Sequence, residues 1–247
     1  MDQILEQLIN LIVESQSEVN GESRLPTERE LAETLGLNRA QLREKMAVLE
    51  ALGFISRTQG RGTFVTVPRH NFQKYYYEIA LKLGYITIDQ LQDAREMIEM
   101  EMVRAAARNA TDEDIRALEY FLNRMLETAD AEYGADLDVA FHMALGAASH
   151  NPVIKTILES LSMVLRQLHK KRRVLVSQAP SGLTQTDATH IDVFEAVKNR
   201  DPEAAQEAMS RHFSVWRDFA EKARKYLEGR QAASSGANLK EGWKAAG

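Results

Sequence analysis

The chain contains no cysteine, which excludes a disulfide framework and any thiolate metal site and fits a reducing compartment. No apolar run approaches the roughly 18 residues needed to cross a bilayer, so no transmembrane helix is expected. The opening stretch, MDQILEQLINLIVESQ, holds acids where a secretory signal would hold lysine or arginine; export is not expected, and a cytoplasmic location is. There is no phosphate-cradling glycine loop and no nucleophile motif, so the sequence gives no reason to expect an enzyme. What remains is 247 residues of ordinary hydrophobic and charged content, long enough for two domains.

A net charge of −5 argues against a generic polyanion binder, but net charge averages over faces. Between Arg24 and Arg69 the chain holds Arg24, Arg29, Arg39, Arg43, Lys45, Arg57, Arg61 and Arg69 against Glu28, Glu30, Glu33, Glu44 and Glu50. This segment is locally basic inside an acidic protein, the electrostatic footprint of a nucleic-acid binder.

The organisation of that segment is helical, then hairpin. Ile4, Leu8, Ile9, Leu11 and Ile12 recur at helical spacing, and Gly21 ends the stretch. Thr27 with Glu30 forms a capping box ahead of a short helix that stops at Gly36. Asn38 with Gln41 caps a second helix, with Leu42, Met46, Leu49 and Leu52 on one face and Gly53 at its end. Two short strands, Phe54–Arg57 and Thr63–Val67, flank a turn at 58–62 whose glycines permit positive φ, and Pro68 breaks the second. The expected fold class is mainly α. A winged helix-turn-helix covers 1–67, a connector with a linker helix 68–87, and an antiparallel bundle of six to seven helices 88–230, with a disordered tail over 231–247. Candidate helices run roughly 71–83, 88–108, 112–130, 135–149, 152–175, 184–199 and 202–228, with caps at Thr87, Thr111, Asn151 and Asp201.

In a helix-turn-helix the second helix enters the major groove by its N-terminal end. That end carries Asn38, Arg39, Gln41 and Arg43, and arginine makes bidentate contacts to guanine worth about 1–3 kcal/mol of discrimination each. Arg29 is placed to hold a phosphate or a base edge. Gln59, Gly60 and Arg61 form a wing tip suited to a minor groove. Taken singly, each arginine is equally an ordinary solvated side chain. The run RLPTERELAETLGLNRAQLREKMAVLEALGFISRTQGRGTFV resembles the winged helix of the GntR family of bacterial regulators. The resemblance implies that Arg29, Arg39, Arg43 and Gly60 contact an operator and that Asn38 contacts phosphate. Ala40-Gln41 stands where that family usually has a Thr-Pro-type pair, and Lys45-Met46 where Ala-Leu is usual, so the base sequence read is expected to differ.

In the second half, Asp138 and His142 lie four apart on one helix face, within reach of a common ion. His190 and His212 fall on two other expected helices and cannot be joined to that pair by spacing. Residues 71–228 resemble the ligand-binding domain of the FadR subfamily, on DAREMIEMEMVRAAARNAT, DVAFHMALGAASHNPVI and THIDVFEAVKNRDPEAAQEAMSRHF. In its metal-binding members Asp, His, His and His stand at Asp138, His142, His190 and His212. The resemblance thus implies a divalent transition metal, zinc first, with nickel, manganese or iron as alternatives. It also implies a small organic-acid or sugar-acid effector. Arg95 is either a cavity residue pairing with that effector or an intrahelical partner of Glu99. His150 is read as a helix-end residue, and His169, in HKKRR, as part of a solvated face. The expected function is a dimeric, sequence-specific regulator on a two-fold operator, hence nucleoid-associated when bound. It is expected to be a repressor that its effector releases; the alternative is a regulator for which the ion itself is the signal.

Overall fold

The computed structural model describes residues 3–16, 24–66, 71–178, 182–219, 221, 222 and 225. The chain divides into two compact units, Met1–Ala80 and Leu81–Gly247. The expected stops at Gly21 and Pro68, the strand end at Val67, the helix end at 228 and the tail over 231–247 lie outside the described residues.

In the first unit α1 spans Gln3–Gln16, α2 Glu28–Leu35 and α3 Arg39–Ala51, followed by β1, Ile55–Thr58, and β2, Gly62–Val65. Thr27 and Asn38 close complete capping boxes with Glu30 and Gln41, and Gly36 ends α2 in the left-handed region. These caps satisfy helix-end amides that would otherwise lack partners. Leu8 and Ile12 of α1 and Leu42, Met46 and Leu49 of α3 are buried as the spacing predicts and meet Leu31 and Ile55, while Leu52 is only half-buried. The strands pair antiparallel with Ile55 opposite Val65 and Thr58 opposite Gly62. Both start one residue later or earlier than expected because Thr58 still pairs across the turn, which therefore shrinks to Gln59-Gly60-Arg61. Gly60 there has φ +77°, a conformation that costs glycine nothing. Arg24, outside both strands, adds a bridge to Phe64 of β2.

Beyond it, α4 covers Asn71–Lys82, α5 Ile88–Asn109, α6 Asp112–Glu127, α7 Ala131–Ala148, α8 Pro152–Ser177 and α9 Gly182–Lys198. A further helix, α10, runs over 202–219. Caps stand at Thr87, Thr111 and Asn151, as expected, and Asp201 accepts from the amide of Ala204. The α6–α7 junction differs: α6 ends at Glu127, and Asp130 caps α7 by accepting from the amides of Glu132 and Tyr133. The α5–α10 bundle buries Met102, Leu118, Phe141, Leu145, Leu158, Val197 and Met209 at its centre. At about 25 cal/mol per Å² of apolar surface, a core of this kind holds the helices at fixed separation, and a polar site set inside it inherits that rigidity.

Candidate metal centre and nucleic-acid face

The helix-turn-helix places its basic residues on the outside. Arg29 and Arg39 border one concavity with Gly36 and Asn38. Arg43, Gln59 and Gly60 border a second one, between the start of α2, α3 and the wing. Arg39 and Arg43 are therefore neighbours on α3 that face different hollows. Arg43 is held by Glu28 at 2.8 Å, and Arg29 lies 4.0 Å from Glu33. Exposed pairs of this kind are worth about 0–1 kcal/mol, so either arginine can exchange its carboxylate for a phosphate or a base edge. The side chains of Asn38 and Gln41 are engaged in the α3 cap. Arg61 packs over the Phe64 ring at 5.9 Å.

The second site lies in the bundle. Asp138 and His142 on α7, His190 on α9 and His212 on α10 bring one ligand atom each to within 4.8 Å of one another. All three imidazoles are buried. Each is fixed through its Nδ1. His142 Nδ1 contacts the Glu99 carboxylate, His190 Nδ1 faces the Asp187 carbonyl at 3.3 Å, and His212 Nδ1 faces the Thr189 hydroxyl at 2.8 Å. That hydroxyl donates its own proton to the Thr186 carbonyl, so its oxygen accepts from His212. With Nδ1 facing an outer partner in each ring, all three Nε2 atoms turn inward together.

Inward, they meet one another and Asp138. His190 Nε2 lies 2.9 Å from Asp138 Oδ1, while His142 Nε2 lies 4.0 Å from it and is buried without a hydrogen-bond partner. The orphaned His142 Nε2 beside a carboxylate is a buried polar atom of the kind a bound cation would answer. Burial alone would raise the Asp138 carboxyl, but the His190 contact and the three surrounding imidazoles hold it well below the usual carboxylate range. Burial, with His190 and His142 beside it, pushes His212 well below its ordinary value, so this ring is a neutral donor. Four such atoms would hold a divalent metal and leave it room for one or two further ligands. Outer partners that fix the ring tautomer are the usual companions of metal-binding histidines. The donor set fits a borderline divalent ion.

A cavity of about 50 Å³ adjoins Asp138, His142 and His212. Arg95 reaches its wall and forms the intrahelical pair with Glu99. Its Nε lies 2.5 Å from Glu99, and its other nitrogen donates to His169 Nε2 at 2.7 Å. His169 is therefore not a surface residue: it is 8% exposed, and burial, reinforced by Arg95, keeps it neutral. The HKKRR face is likewise not solvated as a whole. Arg173 is 1% exposed and bonded at both terminal nitrogens to Asp187, 2.7 Å each. Lys170 pairs with Asp136 at 3.0 Å, and Lys171 alone of the five is fully exposed. His150, by contrast, sits at the end of α7 in the left-handed region and contacts Asp114.

Comparison with known proteins agrees with both halves. Residues 1–65 match the model of the bacterial regulatory proteins of the gntR family, and residues 90–215 match the FCD domain. The Glc operon transcriptional activator of Escherichia coli (strain K12) is 31% identical over 194 residues, 76% of each chain.

The chain belongs to the GntR family.

Its HTH-type relative YcbG of Bacillus subtilis (strain 168) is 28% identical over 219 residues, covering 87% of this chain and 88% of the relative. A solved Streptococcus agalactiae GntR protein has the same fold, with a TM-score of 0.69 at 24% identity, covering 88% of this chain and 99% of that one. GntR regulators with an FCD domain are transcriptional regulators that bind operator DNA, not enzymes. Among the described residues no helix is long and apolar enough to cross a membrane.

Sequence reasoning missed several residues of this GntR chain. His169 had no local signal, because its partner lies 74 positions away, and Glu99 was visible only as a partner of Arg95, not of His142, 43 positions away. Arg172, Arg173, Trp216 and Arg217 line the cavity; their α8 members were hidden in a charge run. Arg24 and Arg57 border the wing hollow. Arg24 and Arg57 had been counted as bases, but nothing in the spacing brought them to the wing.

Proposed function

We propose that this protein is a homodimeric regulator of a two-fold operator, acting as a repressor that a small organic acid or sugar acid releases from DNA. Arg29, Asn38, Arg39, Gln41, Arg43, Gln59, Gly60 and Arg61 form its DNA-reading face. Asp138, His142, His190 and His212 hold a divalent transition metal, zinc first. The observation that carries this reading is the convergence of three buried imidazoles and one carboxylate beside an arginine-lined cavity. The ion, when bound, supplies a Lewis-acidic anchor for a carboxylate or 2-hydroxy acid.

The chain's own residues do the rest. Glu99 orients His142, the bundle core keeps α5, α7, α9 and α10 in register, and the cavity arginines attract an anion. A dimer follows from the operator, since two recognition helices must sit about one turn of DNA apart. The acid acts by binding one arrangement of the helices better than the other, and a tenfold loss of DNA affinity needs about 1.4 kcal/mol of such preference.

The test uses an operator selected by the zinc-loaded full chain from a random duplex pool. Operator affinity is followed by fluorescence anisotropy while small mono- and dicarboxylic acids are titrated. A tenfold or greater loss with one of them, absent in the His142→Ala/His190→Ala variant, supports the reading. An effect of zinc alone, with none from any acid, would make the ion the signal instead.

A further inference from the structure

Four arginines line the cavity beside the metal ligands: Arg95, Arg172, Arg173 and Arg217. Three already have a carboxylate. Arg95 pairs with Glu99, Arg173 with Asp187 and Arg217 with Glu96. Arg172 does not: it makes no hydrogen bond or ion pair with a described residue, although it is only half-exposed. Burial, with Arg95 and Arg217 adding to it, lowers its hold on its proton despite the opposing influence of Asp89 and Glu96. An arginine placed among arginines in a partly dry wall is costly unless something answers it.

The charge of the site gives the same result. Asp138 and three neutral imidazoles leave a divalent ion with one uncompensated positive charge. The charges of Arg95, Arg173 and Arg217 are cancelled by their partners, and Arg172, which no carboxylate pairs at contact distance, adds a second that Asp89 offsets only in part. A monocarboxylate corrects half of this imbalance, whereas a dianion corrects it all. The enclosed space of about 50 Å³ corresponds to only a few water-sized groups, at roughly 10–15 Å³ each, so a longer ligand must extend toward Arg172. That residue lies one turn along α8 from His169, on the same side of the helix as the cavity.

We infer that the effector of this chain is a dicarboxylic 2-hydroxy acid, with one carboxylate and the hydroxyl at the metal and the second carboxylate held by Arg172. This rests on the metal-anchored acid reading above and narrows it. Arginine suits the second position because its planar fork accepts both oxygens of a carboxylate.

Malate and lactate make a matched pair, since malate is lactate with a carboxylate on the methyl carbon. The experiment is calorimetric titration of both, as each enantiomer, into the zinc-loaded full chain and its Arg172→Gln variant, with metal content verified in each. Malate is expected to bind at least tenfold tighter than lactate, a difference of about 1.4 kcal/mol. In Arg172→Gln that gap closes, because malate loses at least tenfold more affinity than lactate does. Equal or tighter lactate binding by the wild type, or equal loss of both ligands in the variant, overturns the inference and leaves the metal-anchored reading standing. Binding of neither acid to the zinc-loaded chain overturns both.

Discussion

Replacing Gly134 by alanine should destabilise the helical unit, although helix propensity alone says the opposite. Gly134 lies inside α7, where alanine is favoured over glycine by about 1 kcal/mol. A Cβ at this position would sit 2.5 Å from Arg173 Nε and 2.7 Å from its Nη2. The guanidinium cannot retreat freely, because both of its terminal nitrogens are bonded to Asp187 in a pair exposed by only 1% and 8%. Moving it breaks a buried pair, at a cost of about 3–5 kcal/mol, so the net effect is a loss of about 2–4 kcal/mol. For a unit of this size the melting midpoint should fall by about 5–15 °C, read by calorimetry or by circular dichroism. In an Arg173→Leu/Asp187→Leu background, where no guanidinium needs the space, the same Gly134→Ala change should stabilise. Stabilisation of the otherwise unchanged chain by Gly134→Ala would refute the reasoning.

Glu99→Gln should weaken zinc binding by about 10–100-fold, measured by chelator competition, because His142 loses its charged outer partner; an unchanged affinity would count against the role given to Glu99. The same substitution leaves Arg95 buried beside a neutral amide, so a loss of stability of about 3–5 kcal/mol is expected in denaturant unfolding. Asp114 caps α6 and contacts His150. Burial would raise its carboxyl, but the bonds from Thr111 and His150 outweigh that and hold it below its ordinary value. A carboxyl lowered on folding adds stability above its unfolded value and loses it as pH falls through the folded one. Asp114→Asn should therefore cost about 0.5–2 kcal/mol at neutral pH, and its difference from the wild type should shrink below about pH 4. A difference that grows on acidification would contradict this assignment.

Local chemistry made most of the fold readable. Each of Thr27, Asn38, Thr87 and Thr111 announces its helix by an acid or amide three residues on, and the structure closes all four boxes. The start of α7 was not readable for a definite reason. The expected helices left 131–134 as a gap, yet Gly134 sits inside α7, where its missing Cβ makes room for Arg173. Asp130, which caps the helix, looked like the tail of α6. The candidate site divides in the same way. Asp138 and His142 are four apart on one helix and were visible as a pair, while His190 and His212 become their neighbours only once α9 and α10 pack against α7. HKKRR failed as a surface prediction because its partners, Arg95 for His169 and Asp187 for Arg173, lie on other helices. A charge run reads as solvated until distant carboxylates are known to meet it.

The most direct test of the account is the metal content of the gently purified full chain, by elemental analysis, beside the His142→Ala/His190→Ala variant. About one equivalent of a divalent transition metal per chain is predicted, retained through dialysis and lost in the variant. A chain that carries none and cannot be loaded with zinc, nickel, manganese or iron would contradict the account. Asp138 and the three imidazoles would then be a buried polar network, and the acid-controlled switch would lose its anchor.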